Sequence, residues 1–520
     1  MNTPTRKLPI GIQTFEKIRE DEYLYVDKTA LVYNLVSTHV PYFLSRPRRF
    51  GKSLLLSTFK SFFDGRKDLF EGLAISKLET QWKKHPVLHL DLNAEKFDTL
   101  ESLNSILNRY LDLWEDAWGK EERETTPSAR FFGIIRRAYE QTGMGVVVLV
   151  DEYDKPLLQT MSDEWLSAEY RRTLKAFYGV LKSADEYLRF VFLTGVTKFA
   201  QVSVFSDLNQ LSDISMAPQY ATLCGITHEE LLEVFSPEIE KVGKYNKLTF
   251  EDTVKELTTR YDGYHFCEDA PGVFNPFSLL NVLAMFRLDN YWFQTGTPTF
   301  LVQLLKKSDY DLRTLIDGVE AEQAAFSEYR AEANNPIPLI YQSGYLTIKG
   351  YDPRFKMYTL CFPNDEVKYA FLKFLQPFYT CVSSNDRTFH IQHFVRELES
   401  GDVPSFMKRM KAFFAGISYE LSDDSERHYQ VIFYIVFKLL GEFIQAEVCS
   451  ATGRADAVVW THNHIYVFEF KLNGTAEQAI KQINEKGYLI PFTADDRKLV
   501  KVGVEFNKES RNINRFLVEE

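Results

Sequence analysis

No two cysteines in this chain stand at the CxxC spacing of a zinc or redox site. The five present, Cys224, Cys267, Cys361, Cys381 and Cys449, are scattered and odd in number. That argues against a disulfide framework or a zinc module and for buried reduced thiols. Long hydrophobic runs are missing as well. The most apolar helix candidate, Val431 to Leu440, is too short to span a bilayer and contains Lys438. The opening Met1-Asn-Thr-Pro-Thr-Arg-Lys7 lacks the apolar core of a signal peptide, so a cytoplasmic protein with no membrane partner is expected. Positive charge is not in excess either. Lys and Arg number 61 against 72 Asp and Glu, a net charge of -11. This argues against a surface that coats nucleic acid uniformly and leaves room for a local basic groove. No internal repeat or low-complexity tract stands out.

What is there is a long, aromatic-rich globular sequence. Its 520 residues exceed what one hydrophobic core organises, so about two to four domains are expected. With 42 Phe and 28 Tyr, extensive disorder is not expected. From about residue 44 to 205, short apolar runs alternate with amphipathic stretches. Val87–Leu92, Val146–Val150 and Phe190–Thr194 read as buried parallel strands, and Leu54–Phe63, Leu100–Trp118 and Ala168–Ala184 as the helices between them. Such alternation predicts an α/β layer fold with a mostly parallel sheet. Residues 227–307 read as helical. A helix end and strand at Leu339–Ile348, a turn at Tyr351-Asp-Pro-Arg354, a second strand at Met357–Phe362 and a helix from Asn364 predict a small winged-helix-like module. A helical connector follows to Asp424.

The first chemical signal is Arg46-Pro-Arg-Arg-Phe-Gly-Lys-Ser53. A phosphate loop needs glycine at both ends of a tight turn, a lysine for the terminal phosphates and a hydroxyl for magnesium. Gly51, Lys52 and Ser53 supply the second half, between an apolar segment at Val40–Leu44 and a helical one from Leu54. Arg46 occupies the position of the first glycine, where it can pair with phosphate oxygens or occlude them. A basic surface turn before a helix would look the same on spacing alone. The balance moves with Asp151-Glu152 at the carboxyl end of an apolar strand, where the acid can hold the magnesium shell and the next Glu can orient an attacking water. Thr194, at the end of the next strand, can sense a terminal phosphate; Thr197 and Lys198 are weaker candidates. Spacing assigns no arginine finger, and Arg171 and Arg172 read more readily as solvated helix-face charges.

Tyr25-Val-Asp-Lys-Thr29, Ser45-Arg-Pro-Arg-Arg-Phe-Gly-Lys-Ser-Leu54, Val150-Asp-Glu-Tyr-Asp-Lys-Pro156, Leu193-Thr-Gly-Val-Thr-Lys-Phe199 and Tyr261-Asp-Gly-Tyr-His-Phe266 together resemble the AAA-ATPase-like proteins of bacteria. The resemblance covers roughly the first half of the chain. In that family the arginine-rich loop without a first glycine is usual. The resemblance implies ATP bound by Arg46, Arg48, Arg49, Gly51, Lys52, Ser53 and Leu54, with Asp151 and Thr194. Mg²⁺ is expected at Ser53 and Asp151, and Glu152 is the catalytic residue.

The second signal lies near the other end. After a helix at Arg427–Leu440 come strands at Phe443–Val448, Arg454–Trp460 and Ile465–Leu472, then a closing helix at Thr475–Gly487. Glu469 and Lys471, two apart on a strand, share one face while Phe468 and Phe470 take the other. Asp456 opens the adjoining strand, within reach of Glu469. Two carboxylates and an intervening carbonyl are hard oxygen ligands suited to Mg²⁺ or Mn²⁺, and a lysine beside them can orient water or meet developing charge. A solvent-exposed strand with its acids paired to Arg454 and Lys471 is the plainer alternative. Hairpin-tip His462 and His464 lack a third ligand, and Lys408, Arg409 and Lys411 read as a solvated helix face.

Gly453-Arg-Ala-Asp456 and Phe468-Glu-Phe-Lys-Leu472, supported by Glu426, Glu447 and Gln482-Ile-Asn-Glu-Lys-Gly-Tyr488, are similar to the PD-(D/E)XK nuclease core. The likeness is particularly to the C-terminal domain that accompanies the AAA-ATPase-like module. It implies Asp456 and Glu469 as metal ligands, Lys471 as catalytic, and support from Glu426 and Gln482, with DNA as partner. The expected α/β architecture is a P-loop domain over 1–225, a helical lid over 226–330, the winged-helix-like module over 331–385, the connector over 386–424 and a restriction-endonuclease-like domain over 425–520. The expected activity is nucleotide-gated, Mg²⁺-dependent cutting of DNA, in genome defence or mobile-element biology. Its rival is a nucleotide-switched binding protein with an inert nuclease fold, and a third option is an ATPase that remodels a protein partner.

Overall fold

The computed structural model describes residues 6–161, 163–198, 205, 210–292, 315, 318–326, 335–379, 384–415, 426–441, 445–448, 455–472, 474–507 and 512–520. The chain divides into two compact units, residues 1–295 with 318–366 and residues 296–317 with 367–520.

In the first unit, α1 (Phe15–Glu20) and α2 (Thr29–Val36) precede β1 (Tyr42–Ser45), α3 (Lys52–Phe63), β2 (Val87–Asp91), α4 (Leu100–Trp118), α5 (Pro127–Thr142), β3 (Val146–Asp151), α6 (Lys155–Gln159), α7 (Glu164–Ser183), β4 (Leu188–Gly195) and β5 (Ser212–Asp213). The strands form one sheet in the order β2-β3-β4-β1-β5, and every neighbouring pair is parallel. β3 is buried along its whole length because both faces are covered, which is why its sequence is a valine run. Val191 and Leu193 face Leu103, Leu107, Phe131 and Leu174 of α4, α5 and α7. Phe190 and Phe192, on the other face, pack against Phe59 of α3 at ring distances of 5.1 and 4.8 Å. The sheet therefore sits between two helical layers with its strand ends gathered at one edge.

A helical segment follows: β6 (Ile226–Thr227), α8 (His228–Asn246), α9 (Phe250–Tyr261), β7 (Val273–Phe274) and α10 (Pro276–Met285). Thr227 and Glu230 close a capping box at the start of α8. Next come β8 (Val319–Glu322), α11 (Ile337–Gln342), β9 (Thr347–Asp352) and β10 (Met357–Cys361), followed by α12 (Asp365–Tyr379). The expected hairpin is present as β9–β10. β8 adds a third antiparallel strand, pairing Glu322 with Met357, so this sheet starts upstream of residue 331.

The second unit holds α13 (Ser384–Ser400), α14 (Val403–Ala415), α15 (Glu426–Leu440), β11 (Gln445–Val448), β12 (Ala457–Trp460), β13 (His464–Lys471), α16 (Ala476–Lys486), β14 (Lys498–Asn507) and β15 (Asn512–Glu519). Its sheet runs β11-β12-β13-β14-β15, antiparallel except for the β13–β14 pair. Here the sequence reading is corrected: α16 does not close the fold but crosses over to two further strands. Phe468 and Phe470 pack under the aromatics Phe406, Phe433 and Phe437 of α14 and α15. Ile465 and Val467 on the opposite face meet Ile480 and Ile483 of α16. No helix among the described residues is long and apolar enough to cross a membrane.

Candidate functional sites

β1 delivers the chain into the loop 46–51, and Gly51 starts α3 from the left-handed region at φ 85. Arg48 and Arg49 are exposed on that loop, with the Arg49 guanidinium 4.5 Å from the Phe277 ring centre. Arg46 departs from expectation. Only 1% of it is exposed, and its guanidinium donates to the carbonyls of Ser45 (2.9 Å), Ser215 (2.8 Å) and Tyr220 (3.2 Å) while lying 3.9 Å over the Phe266 ring. Burial lowers its pKa from the usual arginine range. A cation taken out of water needs these acceptors, so Arg46 braces the loop instead of presenting itself to phosphate. Two of its three partners lie about 170 positions downstream, beyond the reach of local sequence reasoning.

The other candidates converge. Ser53 donates its hydroxyl to one Asp151 oxygen (2.5 Å), and Thr194 donates to the other (2.6 Å). The Lys52 ammonium, on a residue 4% exposed, reaches the carbonyls of Arg46 (3.0 Å) and Pro47 (3.2 Å) and the carboxylate of Glu152 (3.4 Å). Lysine, hydroxyls and acids thus meet where β1, β3 and β4 end. Ser53 and Asp151 present only hard oxygen atoms, a donor set that fits magnesium. Lys198 is instead committed to Asp213 at 2.8 Å, and exposed Arg172 pairs with Glu169.

Beside Gly51 and Leu54 opens a mostly apolar cleft, lined further by Tyr25, Val26, Ile226, Phe235 and Leu280. Its walls come from four separated stretches of sequence, and Tyr25 and Val26 bring part of the Tyr25–Thr29 motif beside the phosphate loop. The Tyr261–Phe266 motif also gains a role that sequence reasoning missed. The rings of Tyr264 and Phe266 stand edge-on to Phe50 of the loop, at 4.8 and 5.4 Å.

In the second unit, antiparallel pairing of Ala457 with Phe468 sets Asp456 beside Glu469. The Phe470 amide donates to Asp456 Oδ2 (2.7 Å) and fixes that carboxylate. Glu469 is 2% exposed; its Oε1 accepts from Lys471 (2.9 Å), and its Oε2 is buried without a hydrogen-bond partner. Burial pushes both carboxyls up from their ordinary values, and at Glu469 the nearby Asp456 charge adds to it. An orphaned acceptor beside a second carboxylate fits a divalent cation, since a cation supplies the missing partner. Lys471 also donates to Gln482 Oε1 (2.6 Å), and Gln482 Nε2 donates to the Tyr488 hydroxyl (3.2 Å). The capping box of Thr475 and Gln478 fixes the start of α16 and hence this face.

Among the described residues no group of three or more His, Cys, Asp and Glu gathers as a ready metal cage. His464 stacks on Tyr466 at 5.5 Å, and Arg409 pairs with Glu397 at 2.6 Å. Glu426 opens α15 and Glu447 lies in β11, but their side chains, like Arg454, lie outside the described residues.

Residues 9–205 match the model of the family described as a predicted AAA-ATPase (AAA-ATPase-like), and residues 424–516 match the PD-(D/E)XK nuclease superfamily. The chain belongs to the AAA-ATPase-like family and carries, in addition, a C-terminal domain of the PD-(D/E)XK nuclease superfamily. It is 36% identical over 532 residues to an uncharacterized protein in the vnfD 5' region of Azotobacter chroococcum mcd 1, a match that covers 99% of each. Among solved structures, the Aeropyrum pernix ORC2 protein in its ADPNP-ADP complexes is matched at 11% identity over 68% of this chain and 97% of that one. The TM-score of 0.25 is too low to carry an argument about either site.

Proposed function

We propose that this chain binds and hydrolyses ATP in its first unit and uses the nucleotide state to gate a Mg²⁺-dependent cut in DNA by its second. The P-loop domain spans 1–225 and the nuclease domain 425–520. The observation that carries the reading is that each unit brings one lysine and buried carboxylate oxygens to the ends or edges of neighbouring strands, Lys52 with Asp151 and Lys471 with Glu469.

At the first site, Lys52 and the exposed Arg48 and Arg49 meet the phosphates, the apolar cleft beside Leu54 takes the base, and Glu152 orients water. At the second, Asp456 and Glu469 are the residues that would hold a divalent ion, with Mn²⁺ an alternative to Mg²⁺. When bound, such an ion activates water and offsets charge on a phosphodiester. Lys471, held by Gln482, directs its ammonium to the same face and stabilises charge developing on the cleaved phosphate. Defence against foreign DNA or mobile-element movement is the setting in which a gated cutter is useful.

The test is cleavage of single- and double-stranded DNA and RNA by the full chain with and without ATP. The expected outcome is cutting of DNA that depends on ATP, falls about a hundredfold or more in Glu469→Ala, and loses its ATP response in Lys52→Ala. Equal cutting by wild type and Lys52→Ala under all conditions removes the gating. No cutting in any condition leaves the nucleotide-switched binding protein as the function.

A further inference from the structure

Glu152 stands in the left-handed region, at φ 54, which a glutamate adopts only where its surroundings hold it there. The next two residues do the holding. The Tyr153 amide donates to the Thr194 carbonyl, and its hydroxyl donates to the Thr197 carbonyl, both at 2.9 Å. Asp154, only 1% exposed, accepts from the amides of Val196 (3.2 Å) and Thr197 (2.6 Å) and from the Thr197 hydroxyl (2.6 Å). Gly195 makes room for this, because a Cβ there would fall 2.5 Å from the Tyr153 ring and 2.8 Å from the Asp154 carboxylate. Residues 153 and 154 therefore clamp the end of β3 to the end of β4, and the clamp presents Glu152 to Lys52 at 3.4 Å.

Asp154 is an expensive residue to place here. Burial, and then the charge of Glu152, hold its carboxyl up at about 6, against three hydrogen bonds that favour the anion. A buried acid this close to another acid is a poor choice for stability alone. Its geometry has a different product, a fixed Glu152.

We propose that Asp154 is a positioning residue that holds Glu152 on Lys52, so that Glu152 and a nucleotide phosphate compete for one ammonium. Binding then releases Glu152 toward the position of the attacking water. The inference rests on the first unit being a nucleotide site and goes beyond it by giving that site an internal competitor. It also draws on two motif blocks at once, Tyr153 and Asp154 supplying the clamp and Thr194, Val196 and Thr197 the groups it grips.

The experiment is equilibrium binding of mant-ADP to the full chain in wild type, Lys52→Ala, Glu152→Gln, Asp154→Asn, the Glu152→Gln/Asp154→Asn double variant and Thr197→Val, with a thermal melt of each. Glu152→Gln and Asp154→Asn are each expected to tighten mant-ADP about three- to tenfold, and the double variant no further than either alone. Thr197→Val, which removes one of the three hydrogen bonds and keeps the side-chain shape, gives a smaller tightening with little change in melting even if Asp154→Asn folds poorly. A merely structural Asp154 would show the opposite sign, weaker binding with a lower melting temperature. Tightening in Glu152→Gln but not in Asp154→Asn or Thr197→Val overturns the positioning role, and tightening in none overturns the competition. Wild type that binds no better than Lys52→Ala overturns the nucleotide reading itself.

Discussion

A single buried guanidinium and a single buried carboxyl show how differently the first unit handles charge. At Arg46 the cation is met by three carbonyls and a ring, so the loop is braced by a buried side chain. At Glu366 the anion is avoided. This side chain accepts from the amides of Tyr291 (2.5 Å) and Trp292 (2.9 Å), yet burial, helped by the charge of Asp289, pushes its pKa from the ordinary 4.5 to about 7. Between those two values the unfolded chain gives up a proton that the folded chain keeps. The stability this group contributes is therefore full below the unfolded value and is lost as pH rises to the folded one, by about 3 kcal/mol at most. Glu366→Gln keeps an acceptor for the two amides and removes the titration. Denaturant unfolding of wild type and variant at pH 5 and pH 8 is expected to show the variant gaining on wild type by about 2 kcal/mol at the higher pH. A difference that does not change with pH would mean that Glu366 titrates normally.

At the scale of elements, legibility followed burial. β3 and β4 were readable as Val146–Val150 and Phe190–Thr194 because strands covered on both faces are continuous apolar runs, and β2 as Val87–Leu92 because buried Leu88 and Leu90 alternate with half-buried positions. The local order strand, loop, Gly51-Lys52-Ser53, helix was equally plain, as was the shared face of Glu469 and Lys471. Contacts brought by distant segments were not legible. Arg46 finds Ser215 and Tyr220, Asp154 finds Val196 and Thr197, and Lys471 finds Gln482 only once the sheets are assembled. β14 was passed over although Val500, Val502, Val504 and Phe506 alternate as buried residues, a period-2 signal interleaved with polar and small positions. Its Gly503 is a demanding position, since a Cβ there would fall 2.5 Å from the Ala476 carbonyl and 2.8 Å from Ile480. Gly503→Ala is expected to push α16 off β13 and β14 and draw Gln482 away from Lys471. A loss of about 1–3 kcal/mol in the second unit should follow, with faster hydrogen exchange along 476–486 and slower cleavage. Unchanged exchange there would show that α16 yields without leaving the sheet.

At the scale of the whole molecule, the described residues close one core around the parallel sheet of the first unit, another among its helices after Ile226, and one around the β11–β15 sheet of the second unit. Each unit having its own core permits independent action, so coupling has to be demonstrated as an effect of one unit's ligand on the other. Any ligand that binds only the folded first unit stabilises it by about 2.7 kcal/mol at a hundred times its dissociation constant. That linkage alone slows exchange around 46–63 and 146–154 and says nothing of the nuclease. Gating requires more, because a nucleotide can bias the second unit only through a difference in free energy between two arrangements of the chain. Hydrogen exchange of the full chain with saturating ATP analogue is therefore expected to change over 464–486, where Glu469, Lys471 and Gln482 lie, as well as at the phosphate loop. Both changes are expected to disappear in Lys52→Ala, while Glu469→Ala leaves the change at the phosphate loop intact. Protection confined to the first unit would mean that the nucleotide and the nuclease carboxylates share a chain without sharing a mechanism.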